Sequence, residues 1–221
     1  MAVGGLSGTS GPCVFVRQRD GRQVLRVRTT PSDPKTAAQM AMRLAMQRAA
    51  ATFSQLTPEE HRAWLAYARQ LAENAWSERR TVPVNATNAY RTLALKILQL
   101  DREAELPRTP PSTPFGGDAV RVTVGAEPGG LVFTSDRGNL PGVSTELLTQ
   151  PVRLSISRTD PQKFRSQGFV AFGQGGQDVR VAAQRGWVVP AYRFVLAATG
   201  QTTPLLPLEP VWVGPAGTVA A

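Results

Sequence analysis

VFVRQRDGRQVLRVR, Val14 to Arg28, reads as a β-hairpin, and the rest of the chain is organised around it. Asp20-Gly21 at its centre is a favoured two-residue hairpin turn, because both turn positions need positive φ. Such a turn sets the register. It places Arg19 opposite Arg22, Gln18 opposite Gln23, Arg17 opposite Val24, Val16 opposite Leu25, Phe15 opposite Arg26 and Val14 opposite Val27. One face then carries Val14, Val16, Leu25 and Val27. The other carries Arg17, Arg19, Arg22, Arg26 and Arg28, with Phe15 among them. A lone hairpin is marginal in water, so its apolar face has to pack on helices or on another chain. Arg19 directly opposite Arg22 adds a like-charge penalty that a counter-charge removes. The Arg face is therefore a solvated hairpin face, or a contact surface for an acidic partner or a phosphate backbone.

Before the hairpin, residues 1–12 are rich in Gly, Ser and Thr with little to bury, which predicts a flexible arm. The alternative is an arm that orders only against a neighbouring subunit. After the hairpin, Ser32 or Asp33 can cap a helix with Pro34 at its first position. That helix is expected to run to about Phe53, with Ala37, Met40, Ala41, Leu44, Ala45 and Phe53 on its apolar stripe and Arg43 and Arg48 away from it. Thr57-Pro58-Glu59-Glu60 has the form of a capping box and opens a second helix. Its stripe is His61, Trp64, Leu65, Ala68, Leu71, Ala72 and Ala75, read as core. A third helix over about Thr87–Asp101, capped by Asn85 or Thr87, carries Tyr90, Leu93, Ala94, Ile97, Leu98 and Leu100. Residues 13–103 thus read as a basic hairpin plus a small helical domain.

Residues 104–117 hold Pro107, Pro110, Pro111 and Pro114 and read as a semi-rigid linker between domains. Beyond it the pattern changes to short strands, expected at 119–124, 130–135, 152–157, 168–172, 178–183, 192–197 and 209–214. Seven short alternating strands over about a hundred residues predict an immunoglobulin- or fibronectin-type sandwich over residues 118–215, followed by a short tail at 216–221. Phe133, Leu154, Ile156, Trp187, Phe194 and Trp212 are its expected core or rim. The expected class is α+β in two domains.

Charge is unevenly spread along the chain. Of its 25 Lys and Arg, 22 are Arg, and the net charge is +9. Residues 1–103 carry 15 Lys/Arg against 8 Asp/Glu, so the basic excess belongs to the N-terminal half. Arg suits phosphates, carboxylates and interface ion pairs, and a high-GC genome produces the same bias. Cys13 is the single cysteine, so an intrachain disulfide cannot form. The first residues lack the basic and apolar regions of a signal peptide, and no apolar run approaches the roughly 20 residues that span a bilayer. The expectation is a protein that acts inside a cell or in a particle assembled there, with no membrane partner.

The search for chemistry finds no constellation. One His and one Cys do not make the usual zinc sets or a Cys/His nucleophile pair. His61 is the only histidine, and no nucleophile-elbow glycines accompany it. Gly173-Gln-Gly-Gly-Gln177 lacks the Lys and Ser/Thr of a phosphate loop and reads as a hairpin loop. The chain is read as a non-enzyme without cofactor or metal.

The N-terminal half resembles virion structural proteins encoded by tailed phages, prophages and related bacterial loci. The resemblance rests on the order of several segments: the glycine-bearing arm and basic hairpin; Pro31-Ser-Asp-Pro34-Lys-Thr36-Ala-Ala-Gln39-Met-Ala-Met-Arg43; Leu56-Thr-Pro-Glu-Glu-His-Arg-Ala-Trp64; and Asn88-Ala-Tyr90 before the last helix. A fibronectin-like or other β domain often follows in such proteins. The resemblance implies a structural component of a phage-like particle (capsid, neck or tail) that is assembled in a host cytoplasm and located in the virion. Its expected partners are other virion proteins and further copies of itself; the resemblance brings no functional residues, and the partner-binding face expected from the hairpin itself is Arg17, Arg19, Arg22, Arg26 and Arg28. Two competing readings are a nucleic-acid-binding protein with the same Arg face on phosphates, and a glycan-binding sandwich using Trp187 or Tyr192.

Overall fold

The computed structural model describes residues 8–17, 22–29, 32–74, 85–152 and 163–215. It is a mixed α+β protein with three helices and several antiparallel sheets among those residues. The chain divides into two compact units, Met1–Ala41 and Met42–Ala221, with the division falling inside the first helix.

The first unit is built on a three-stranded sheet in the order β1 (Gly8–Ser10), β2 (Cys13–Arg17), β3 (Gln23–Val27). Part of the expected arm is thus a strand. Ser10 pairs with Cys13 across Gly11-Pro12, and Gly11 takes φ +56, a left-handed position that a side chain resists.

The hairpin exists, but its register differs by one residue from the one a two-residue turn imposes. Cys13 pairs with Val27, Val14 with Arg26, Phe15 with Leu25, Val16 with Val24 and Arg17 with Gln23. The Arg28 amide donates to Pro12 O at 2.6 Å, so the ladder is closed at its open end, where β1 turns into β2. Asp20-Gly21 lies outside the described residues. Because side chains alternate, a one-residue slip reassigns the faces. Val14, Val16 and Val24 share a face with Arg26, while Leu25 and Val27 share the opposite face with Cys13 and Phe15.

In the second unit, α1 (Ala37–Ser54), α2 (Pro58–Asn74) and α3 (Ala86–Leu100) enclose a core of Ala49, Leu56, Trp64, Ala68, Tyr90, Leu93, Ala94, Ile97 and Leu98. α1 begins three residues later than Pro34 predicts. Lys35 takes φ +48, out of the helical path, and Thr36 and Gln39 cap each other reciprocally: Gln39 N donates to Thr36 Oγ1, and Thr36 N donates to Gln39 Oε1. α1 buries Ala49 and half-buries Ala45 and Phe53, and it leaves Met40 and Leu44 of the expected stripe exposed. On α2, Thr57 and Glu60 form the expected box, and Trp64 and Ala68 are buried. Leu65 and Leu71 are exposed, and the Ala72 and Ala75 side chains lie outside the described residues. Asn85 caps α3 by accepting from Asn88 N at 2.7 Å.

The β region forms two sheets. One is β4 (Val122–Glu127), β5 (Gly130–Ser135), β8 (Asp178–Ala182) in that order. The other is β7 (Arg165–Val170), β6 (Val143–Val152), β9 (Gly186–Leu196), with β10 (Leu206–Pro207) and β11 (Val211–Val213) both on the far side of β9. Val122, Leu131 and Phe133 of the first sheet share one core with Val143, Leu147, Val188, Tyr192, Phe194 and Val213 of the second. Most of β6 is unmarked by alternation, because it is central and Thr145, Glu146, Leu147, Leu148, Thr149 and Gln150 are all buried. Its polar members are satisfied: Thr145 by Asn139 and Thr149 by Gln167. Of the strand expected at 152–157, only Val152 is described, and Leu154 and Ile156 lie outside the described residues. Gly173–Gln177 joins strands of different sheets, so it is a crossover and not a hairpin loop. A Cβ on Gly176 would stand 2.8 Å from Ser135 O, and glycine permits that approach.

The Pro-rich segment is not a free linker. Leu106 is buried in the helical core, the Trp64 indole donates to Arg108 O at 2.9 Å, and Phe115 packs on the β core. Gln201 donates to Thr113 O at 3.0 Å. Arg48, expected on the outer face of α1, instead donates to the carbonyls of Arg102, Glu103 and Ala104, just after α3. Most of α1, all of α2 and α3, and the two sheets of the β region accordingly fall within one unit.

Candidate partner-binding surface

β3 and its flanks present the basic residues. Arg26 and Arg28 are exposed, and Arg22, just before β3, is exposed too. Arg17 ends β2 opposite Gln23, and its side chain is not among those described. Arg19 lies outside the described residues. The expected Arg face differs in register: Arg26 shares its face with Val14, Val16 and Val24, and Phe15 lies on the opposite face.

The same strand exposes apolar surface. Leu25 is 56% and Val27 70% exposed, while Cys13 and Phe15 beside them are half-buried. Sequence reasoning put Leu25 and Val27 on a packed face. The one-residue register moved them, and no signal in the hairpin alone reveals it.

In the second unit a buried charge cluster ties α3 to the sheet. Lys96 on α3 donates to both Glu146 carboxylate oxygens at 2.8 and 2.9 Å, and Arg193 on β9 donates to the same carboxylate at 2.6 Å. Glu146 and Arg193 are cross-strand partners, so they project from one sheet face towards Lys96. Burial pushes the Glu146 carboxyl up, but the hydrogen bonds from Arg193 and Lys96 outweigh it and hold the carboxyl below its usual range. Burial also pushes Lys96 down, and its bonds to Glu146 offset only part of that. Lys96 additionally lies 5.3 Å from the centre of the Phe169 ring. Glu60 is held at about 2 by the side-chain bond from Arg108 and the backbone bond from Thr57.

Among the described residues, no group of three or more His, Cys, Asp or Glu stands where it could hold a metal. His61 packs edge-on to Phe53, centroids 4.6 Å apart, as a half-buried structural side chain. A cleft of about 290 Å³ is lined by Pro107, Pro110, Ser112, Thr113, Leu196 and Gln201 among others, with no titratable side chain in its wall. No described helix is long and apolar enough to cross a membrane.

Of the two aromatics considered for glycan stacking, Tyr192 is buried in the β core. Trp187 is 37% exposed and sits opposite Trp212, 48% exposed, on β11. Their rings meet edge-to-face at 66°, 5.7 Å apart, so they offer no shared flat platform. No family model matches the chain, and no curated protein matches it.

Proposed function

We propose that the protein is a non-enzymatic structural component of a phage-like particle, with unit Met1–Ala41 as its attachment element. The observation that carries this reading is the exposed apolar and basic surface of β3. A three-stranded sheet of three to five residues per strand buries too little to be stable by itself, and here Leu25 and Val27 are left to solvent beside Arg26 and Arg28. A second surface completes such an element by covering it. Repeated on a symmetric shell, many weak contacts of this kind become strong.

The second unit suits a rigid spacer or bridge. The order β4-β5-β8 facing β7-β6-β9-β11, with changes of sheet after β5, β7 and β8, supports a fibronectin-type III-like sandwich. That fold by itself assigns no function. The resemblance of the N-terminal segments to phage-encoded virion proteins supplies the particle context.

Mass spectrometry of intact particles, purified by density gradient from the culture that makes the protein, tests the reading. Peptides of this chain at a fixed ratio to the major shell or tube protein are expected. A chain confined to the soluble pool contradicts it and turns attention to the phosphate-binding alternative. That alternative requires binding to DNA that weakens steeply with salt and is lost when Arg22, Arg26 and Arg28 are neutralised.

A further inference from the structure

We propose that the free edge of β3 accepts an extended segment of a partner protein in which acidic and apolar residues alternate. This rests on the reading of Met1–Ala41 as the attachment element and names the chemistry of its partner.

The hydrogen-bond pattern of the sheet identifies the available groups. Arg28 N donates to Pro12 O, which makes that position a hydrogen-bonded one in the β2–β3 ladder. Bonded and non-bonded positions alternate along an antiparallel pair. Val14–Arg26 and Val16–Val24 are then bonded pairs, while Gln23, Leu25 and Val27 direct their N–H and C=O groups away from β2. Among the described residues the sheet order ends at β3, so these three residues form an open edge.

The side chains around that edge state what would fit it. An added strand meets Leu25 and Val27 on one face and Arg26 and Arg28 on the other. Apolar residues at one parity and carboxylates at the other satisfy both faces at once, in the manner of strand addition to an exposed sheet edge. A second copy of β3 is a poor occupant, because it brings further Arg to a unit that already holds six Lys/Arg against two Asp/Glu. A phosphate backbone would use the Arg side chains and leave the apolar face and the edge backbone groups idle.

Two other edges among the described residues are blunted. The pairing of β7 shifts register beside Gly168, and the β10–β11 edge carries Pro207 and Pro210. β3 pairs with β2 without interruption over all five of its residues and contains no proline.

The test uses the full chain and dye-labelled, end-blocked peptides, read by fluorescence anisotropy. VEVEVEVE is expected to bind at least about tenfold more tightly than its block-ordered isomer VVVVEEEE or its basic counterpart VKVKVKVK. Arg26→Glu/Arg28→Glu is expected to reverse the preference in favour of VKVKVKVK. Leu25→Pro removes an outward N–H and is expected to weaken VEVEVEVE by about tenfold or more. Equal binding of the block-ordered isomer, no binding, or a preference unchanged by the double reversal overturns the proposal. So does binding of oligo-dT in place of the peptide. No peptide binding by a chain that is found in particles sinks the strand-addition idea alone. A chain that binds the peptide and is absent from particles sinks the particle reading alone.

Discussion

At the level of single residues, Glu146 matters most to the second unit. Its carboxylate is 1% exposed and holds both Lys96 and Arg193. Removing one partner from a buried ion cluster leaves charge without compensation, so Glu146→Ala is expected to cost about 3–5 kcal/mol in urea denaturation. Glu146→Gln keeps the shape and should lose less. The carboxyls of Glu146 and Glu60 both titrate lower in the folded protein than in the unfolded chain. Their contribution is therefore complete above the unfolded value, near 4.5, and is lost as pH falls towards the folded one. For Glu60 that window runs from 4.5 to about 2. Urea midpoints measured from pH 6 to pH 2.5 should fall less steeply in Glu60→Gln than in the parent protein. A parallel fall would contradict the assignment. Gly200 offers a steric counterpart: it takes φ +71, and an added Cβ would collide with Leu93 O. Gly200→Ala should cost more than about 1 kcal/mol, read as a drop in Tm. Of these roles only the Glu60 cap was legible in the sequence. Glu146 sits in a strand whose polar residues disguise it, and Lys96 and Arg193 are separated from it by 50 and 47 positions in sequence.

At the level of elements, local chemistry was legible where one signal stood alone. Thr57 and Glu60 announce the start of α2, and Asn85 that of α3, because a side-chain acceptor three residues before an amide has few other uses. The start of α1 held two competing signals. Pro34 invited a start that the positive φ of Lys35 prevents, and Thr36 with Gln39 supplies the cap instead. Thr36→Ala is accordingly expected to cost about 1 kcal/mol, whereas Ser32→Ala should be neutral within error in thermal melts. The hairpin register was misjudged because Asp20-Gly21 specifies a turn only if nothing else closes the ladder. Here β1 and the Arg28–Pro12 bond close it from the other end. The register makes a covalent prediction. Cys13 faces Val27 at a position where the side chains approach closely, so Val27→Cys should form a disulfide with Cys13 under mild oxidation. Arg28→Cys should not, although the register of a two-residue turn would put it opposite Cys13. Mobility on a non-reducing gel, with peptide mapping, distinguishes the two.

At the level of the whole molecule, the mixed α+β class and many of the β elements could be read from alternation and turn residues, while the division of the chain could not. Four prolines between residues 104 and 117 looked like a flexible boundary, yet Leu106, Arg108, Thr113 and Phe115 are each tied into neighbouring structure. Proline restricts the backbone without saying whether its neighbours are packed. The division lies instead at Ala41, with the small basic sheet and the start of α1 in one unit and the remaining elements in the other. The exposure of Arg22, Arg26 and Arg28 was legible in the composition, and that of Leu25 and Val27 beside them was not. That combination is what makes the first unit an attachment element in this account. The direct measurement is co-sedimentation with purified particles of the full chain and of a chain lacking residues 1–28, with a thermal melt of each. The account predicts that the shortened chain keeps the cooperative melt of Met42–Ala221 and no longer sediments with particles. A shortened chain that melts normally and still sediments with particles would contradict it.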